Sequence, residues 1–128
     1  MARLNDKQMT VQQLKDMVAA FRDERNWRKH HSPKNLAMSI AIEAAELMEL
    51  FQWDEYTKNN QQKIKDELAD ILAYCFNFAD TLDIDIASSF VDKLDRAKLK
   101  YPVELFNENR DKPNDYARIK QAYRRGKK

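Results

Sequence analysis

Apolar residues recur along this chain at three- and four-residue intervals in four long stretches, which is the period of helices that bury one face. Val11, Leu14, Val18 and Phe21 form the first stripe. Thr10, with Gln13 three residues on, carries a capping-box signature ahead of it, so a first helix is expected from there to about Trp27. Ser32-Pro33 is an N-cap followed by proline in the first turn, and it opens a second helix expected over 33–53 with Leu36, Ile40, Leu47 and Phe51 buried. A polar connection, Tyr56 to Gln62, leads to a third helix ending near Leu82, whose inner face is Ile64, Ile71, Phe78 and Leu82. Asp83 or Asp85 is expected to cap a fourth helix, with Ile86, Phe90, Leu94 and Ala97 inward, which Tyr101-Pro102 stops. Beyond it the chain is polar, and Tyr116, Ile119 and Tyr123 predict a short amphipathic helix before the basic end, Arg124 to Lys128.

Two acidic pairs interrupt this pattern. Glu43 and Glu46 in the second helix, and Glu67 and Asp70 in the third, are each three residues apart, close enough on a helix surface to act on one ion. Leu36, Glu43 and Leu50 are seven apart, and seven residues are within about 20° of two full turns, so Glu43 lies on the apolar stripe itself. Glu67 falls on the inner face of the third helix by the same spacing, with Asp70 on its flank in line with Asn77, and Asp66 outward. An ionised carboxylate on a buried stripe is costly without a compensating charge, so two such residues on consecutive helices call for a shared cation. Glu49 is outermost of the three glutamates and is assigned to the surface.

Composition narrows the architecture. One Gly and three Pro in 128 residues leave little material for hairpins, so an all-α, four-helix bundle-like protomer is expected. The length is one domain's worth, taken as an all-α domain over 1–105 and a polar, basic tail over 106–128. A net charge of +2 is too balanced for a general polyanion binder, so nucleic acid is not the expected partner. The single Cys75 excludes an internal disulfide framework and reads as a small buried hydrophobe. With no signal-peptide core and no apolar run of membrane-span length, a cytoplasmic protein without membrane partners is expected.

Four carboxylates with no nearby Cys or His suit a hard cation, Mg²⁺ or Mn²⁺. Di-iron bundles need Glu-x-x-His on two helices, whereas the residues three before His30 and His31 are Trp27 and Arg28. Mg²⁺ is commonly shared between carboxylates and substrate phosphates, so a polyphosphate ligand is the natural occupant. Lys93, at the edge of the fourth stripe, is the internal candidate for phosphate contact. Trp27, His31 and Trp53 lie next to predicted helix ends, where rings can wall a pocket and stack on a flat base.

Taken together, Glu24-Arg25-Asn26-Trp27, His31 to Leu36, Glu43-Ala44-Ala45-Glu46-Leu47-x-Glu49-Leu50-Phe51-Gln52-Trp53, Glu67-Leu68-x-Asp70-x-x-x-Tyr74, and Lys93 followed by Lys100-Tyr101-Pro102-Val103-Glu104 resemble the MazG-like all-α nucleoside triphosphate pyrophosphohydrolases, in particular their dCTP pyrophosphatase branch. The resemblance spans roughly Phe21 to Glu104. It implies hydrolysis of a nucleoside triphosphate to the monophosphate and pyrophosphate, by water attack on the α-phosphorus, as nucleotide-pool house-cleaning. It implies that Glu43, Glu46, Glu67 and Asp70 hold Mg²⁺, with Glu46 orienting the water, that His31, Trp27 and Trp53 line a base pocket, and that Tyr74 and Lys93 face the phosphates. It also implies a homo-oligomer, a dimer or a dimer of dimers. One departure is Ala97, where relatives often carry Asn, which puts base or sugar preference in question. The competing readings are the same chemistry on dUTP or another aberrant triphosphate, and a non-catalytic helical module that binds nucleotides or, through Arg118 to Lys128, an acidic partner.

Overall fold

The computed structural model describes residues 3–53, 60–106 and 115–126, and among them every regular element is helical. In chain order these are α1 (Val11–Glu24), a 3₁₀ turn (Arg28–His30), α2 (Pro33–Glu49), α3 (Gln61–Thr81), α4 (Ile86–Lys100), a second 3₁₀ turn (Val103–Leu105) and α5 (Asp115–Arg125). The contacts divide the chain into two compact units, Met1–Asp85 and Ile86–Lys128. No described helix is long and apolar enough to cross a membrane. The expected all-α class is the one observed; most of the connection Tyr56 to Gln62 lies outside the described residues.

In the first unit α3 is the central element, packed by α2 and by α1. The caps follow the sequence signals. Gln13 N–H donates to Thr10 Oγ1 at 3.1 Å and Thr10 N–H donates to the Gln13 side chain at 2.8 Å, closing the capping box of α1. Asn35 N–H donates to Ser32 Oγ at 3.2 Å, with Pro33 in the first turn of α2.

Helix ends depart from expectation for identifiable reasons. α1 stops at Glu24 rather than near Trp27 because Asn26 takes a left-handed conformation, φ 55°. Trp27 N–H then reaches back to Arg22 C=O and Asn26 N–H to Asp23 C=O, the paired bonds of a Schellman motif, with Asn in the place usually held by Gly. The device recurs at the end of α3, where Asp83 has φ 53° and Ile84 N–H donates to Ala79 C=O at 2.9 Å. Asp83 therefore terminates α3 instead of capping α4, and Asp85 is the residue immediately before α4. α2 ends at Glu49 instead of residue 53, as Phe51 and Gln52 tighten to three-residue hydrogen bonds with Met48 and Glu49.

The apolar stripes are only partly covered. Leu36 and Ala79 are the buried hydrophobic side chains among the described residues. Leu14, Val18, Ile40, Leu47, Ile64, Ile71 and Phe78 are half-buried, as is Cys75. Phe21, Phe51, Leu82, Phe90 and Leu94 were expected inward but are exposed, and Met38, Ile42, Met48 and Leu68 are also half or more exposed. Met38, Ile42, Met48 and Leu68 belong to α2 and α3, which pack on each other along another side.

In the second unit the Tyr101 ring stacks on Tyr116 at 5.2 Å and meets the edge of Phe106, while Lys100 Nζ lies 4.1 Å from the centre of the Tyr123 ring. The Tyr116–Tyr123 pattern is thus the face by which α5 meets the end of α4.

Leu36 is fully covered, so truncation leaves a cavity as well as lost transfer energy. Leu36→Ala should cost about 2–5 kcal/mol, read as a lower denaturant midpoint at unchanged slope.

Candidate active site

Packing of α2 on α3 brings Glu43, Glu46 and Glu67 together, each contributing an oxygen within 4.8 Å of the others. Glu43 and Glu67 are half-buried and Glu46 is exposed, the order expected from helical phase. Glu43 Oε2 and Glu67 Oε2 are buried without a hydrogen-bond partner. Burial, hydrogen bonding to Glu46, and the charges of Glu46, Asp70 and Glu67 push the Glu43 carboxyl up to about 7. Glu67 is also raised, first by burial and then by Glu46 and Asp70. Crowded carboxylates that resist ionisation and leave lone pairs orphaned are a donor set suited to a hard divalent cation, which supplies the missing charge.

Asp70 stands one turn along α3 from Glu67. It is exposed, lies outside the tight cluster, and acts on Glu43 and Glu67 through its charge. It also lines an adjoining cavity of about 170 Å³ together with Trp27, His31, Tyr74, Ala73 and Asn77. The cavity and the carboxylate cluster therefore meet at Asp70. Trp27 is oriented by an edge contact with Phe21 at 5.7 Å and lies 6.4 Å from the His31 ring, giving the cavity an aromatic wall. Burial, together with the positive charges of Arg22 and His30, lowers the His31 pKa, so the ring is neutral at physiological pH.

Trp53 and Lys93 are the remaining residues expected at the site. Trp53 is 86% exposed beyond the end of α2. Lys93 belongs to the second unit, where it lines a groove with Lys100, Tyr101, Tyr116 and Lys120.

Residues not anticipated are Arg22 and Lys15. Arg22, 2% exposed, donates to Asn77 Oδ1, Asp80 Oδ2 and the Asp23 carboxylate, and Lys15 Nζ donates to Ile84 C=O at 2.9 Å. The signal was present: Lys15 and Arg22 are seven apart and Arg22 follows Val18 by four, which sets both on the α1 stripe as Glu43 is set on that of α2.

The fold is thus an all-helical scaffold with a carboxylate cluster beside an aromatic cavity. The chain belongs to the MazG-like family, whose profile it matches over residues 38–115. It is 32% identical to dCTP pyrophosphatase 1 of Mus musculus and 29% identical to that of Homo sapiens, each over 104 residues covering 75% of this chain and 61% of the relative. The chain thus spans about three fifths of the length of these curated relatives. The crystal structure of a pyrophosphatase from Archaeoglobus fulgidus is 34% identical and superposes with a TM-score of 0.68, covering 78% of this chain and 99% of that one.

The raised Glu43 and Glu67 carboxyls have a consequence for stability. Between the ordinary value of 4.5 and about 7 the folded chain holds protons that the unfolded chain has released, so their contribution to stability falls as pH rises through that window. Without divalent metal, the melting temperature of the native sequence relative to Glu43→Gln should therefore decline from about pH 5 to about pH 7.5. Excess Mg²⁺ should abolish the decline. A difference that is flat with pH would show that burial and the neighbouring carboxylates do not raise these carboxyls.

Proposed function

We propose that the chain is a Mg²⁺-dependent nucleoside triphosphate pyrophosphohydrolase acting on a deoxynucleotide such as dCTP or a modified form of it. The observation that carries this reading is the orphaned three-carboxylate cluster adjoining an aromatic cavity, in a chain of the MazG-like family. The names of the relatives and of the Archaeoglobus structure support the reaction class.

Glu43, Glu46 and Glu67, with Asp70 at the cavity side, are the residues that would hold Mg²⁺ or Mn²⁺. Such an ion supplies charge neutralisation of the triphosphate and a lowered pKa for a bound water. Glu46, the exposed member of the cluster, is the carboxylate that would orient the attacking water. Attack at the α-phosphorus breaks its bond to the bridging oxygen and releases pyrophosphate from the nucleoside monophosphate. Trp27 and His31 wall the base, and Tyr74 faces the sugar-phosphate side.

Lys93 and Trp53 are the further proposed phosphate and base contacts, and the proposed assembly is a homo-oligomer, a dimer or dimer of dimers of bundle-like protomers. The uncovered apolar faces of α2 and α3 support that assembly. Residues 1–105 form the proposed catalytic domain and 106–128 a basic appendage, working in the cytoplasm on the nucleotide pool.

Incubation with each dNTP and NTP plus Mg²⁺ should release pyrophosphate and a monophosphate, with dCTP among the best substrates. Orthophosphate as the product, or no turnover of any triphosphate, would sink the proposal. Glu67→Gln should lower kcat by more than the roughly 10–100-fold typical of changes in residues that only support a metal ligand. Full activity in that variant would move the metal site elsewhere.

A further inference from the structure

Along the lining of the cavity, a chain of hydrogen bonds from Arg22 through Asn77 fixes where the His31 proton sits. The Arg22 guanidinium can only donate, and its Nη1 donates to Asn77 Oδ1 at 2.9 Å and to Asp80 Oδ2 at 3.0 Å. An oxygen of the Asn77 amide must therefore face Arg22. That leaves Asn77 Nδ2, which can only donate, 2.7 Å from His31 Nδ1. Turning the amide over would set N–H against N–H at Arg22 and forfeit the bond to the buried guanidinium, even though a His31 Nδ1–H could then donate to the amide oxygen. His31 Nδ1 is thus an acceptor. The neutral ring carries its proton on Nε2, and an imidazolium would oppose Nδ1–H to the Asn77 donor.

The network is well held. Arg22 and Asn77 are 2% and 3% exposed, and Asp80 and Asp23 neutralise the guanidinium. Arg22 comes from α1, Asn77 and Asp80 from α3, and His31 from the segment just before α2, so the fold itself presses the ring into one state.

We propose that Arg22 and Asn77 are positioning residues that lock His31 as the Nε2–H tautomer, so that the cavity offers a fixed hydrogen-bond donor and selects nucleobases presenting an acceptor edge. This rests on the cavity being the base pocket of the proposed pyrophosphohydrolase. A cytosine edge, with ring N3 and O2 both acceptors, satisfies such a donor. A base whose ring N–H occupies that place sets donor against donor, and a buried unmatched polar group is strongly disfavoured.

Asn77→Asp tests this with little change of shape. One carboxylate oxygen still accepts from Arg22, but the other now accepts at His31, so Nδ1 becomes protonated and, in the neutral ring, Nε2 becomes an acceptor. The chain has two histidines, and His30→Gln assigns the His31 signals. Long-range ¹H–¹⁵N correlation on ¹⁵N-histidine protein should show a bare Nδ1 and a protonated Nε2 in the native sequence, and a protonated Nδ1 in Asn77→Asp. With dCTP as the probe at about pH 9, where the neutral ring predominates, KM should rise on the order of tenfold in Asn77→Asp while kcat changes much less. A protonated Nδ1 in the native sequence, an unchanged tautomer in the variant, or an unchanged KM overturns the proposal. Should Asn77→Asp fail to fold, the spectrum of the native protein alone decides the tautomer. Pyrophosphate release from dCTP by the native protein is scored separately: its absence counts against the enzymatic reading, while the spectrum still tests the lock.

Discussion

The repulsion among Glu43, Glu46 and Glu67 is the constraint around which the first unit is arranged. Like charges held this close oppose one another, and partial burial weakens the screening that water would provide. The packing of α2 on α3 nonetheless holds three carboxylates within 4.8 Å, with two oxygens buried and unpartnered. Burial first, then the hydrogen bond and charge of Glu46 and the charges of Asp70 and Glu67, raise the Glu43 carboxyl to about 7, so protonation relieves the crowding in part. A divalent cation relieves it more completely, so ligand binding and helix packing are energetically one process at this seam.

The seam between α1 and α3 is built differently, from buried polar groups that satisfy one another. Arg22 is matched by Asn77, Asp80 and Asp23, and Lys15 by a carbonyl at the end of α3, where a cation also meets the negative end of the helix dipole. Directional bonds of this kind hold α1 in one register on α3, whereas an apolar seam would tolerate small slides. That register places Phe21, and through it Trp27, against His31. The aromatic wall is positioned by a charge network that lines the same cavity.

Much of this was legible in the residues. The period of the apolar stripes identified the helices, Thr10 and Ser32 marked two of their starts, and the seven-residue spacing through Glu43 set it further inward than Glu46 and Glu49, as observed. Less legible were the helix ends, because Asn26 and Asp83 stop α1 and α3 by adopting a left-handed conformation that neither residue type guarantees. The polar network behind His31 also went unread. The in-stripe cations Lys15 and Arg22 carry the same desolvation cost as the in-stripe carboxylates, since that cost applies to both signs of charge. The place of Asp70 outside the tight cluster depends on side-chain direction, which spacing alone does not specify.

The thin apolar core bears on assembly. Ordering a residue costs roughly 1–2 kcal/mol of backbone entropy, and burial of apolar area is the main compensation. Leu36 and Ala79 are the fully covered apolar side chains among the described residues, while Met38, Ile42, Met48 and Leu68 present a broad uncovered face on α2 and α3. The carboxylate cluster adds repulsion to the same two helices. A second copy covering that face would supply the missing burial where the site itself subtracts stability. The proposed oligomer and the proposed metal would then answer the same deficit, one by removing apolar surface from water and the other by removing unbalanced charge.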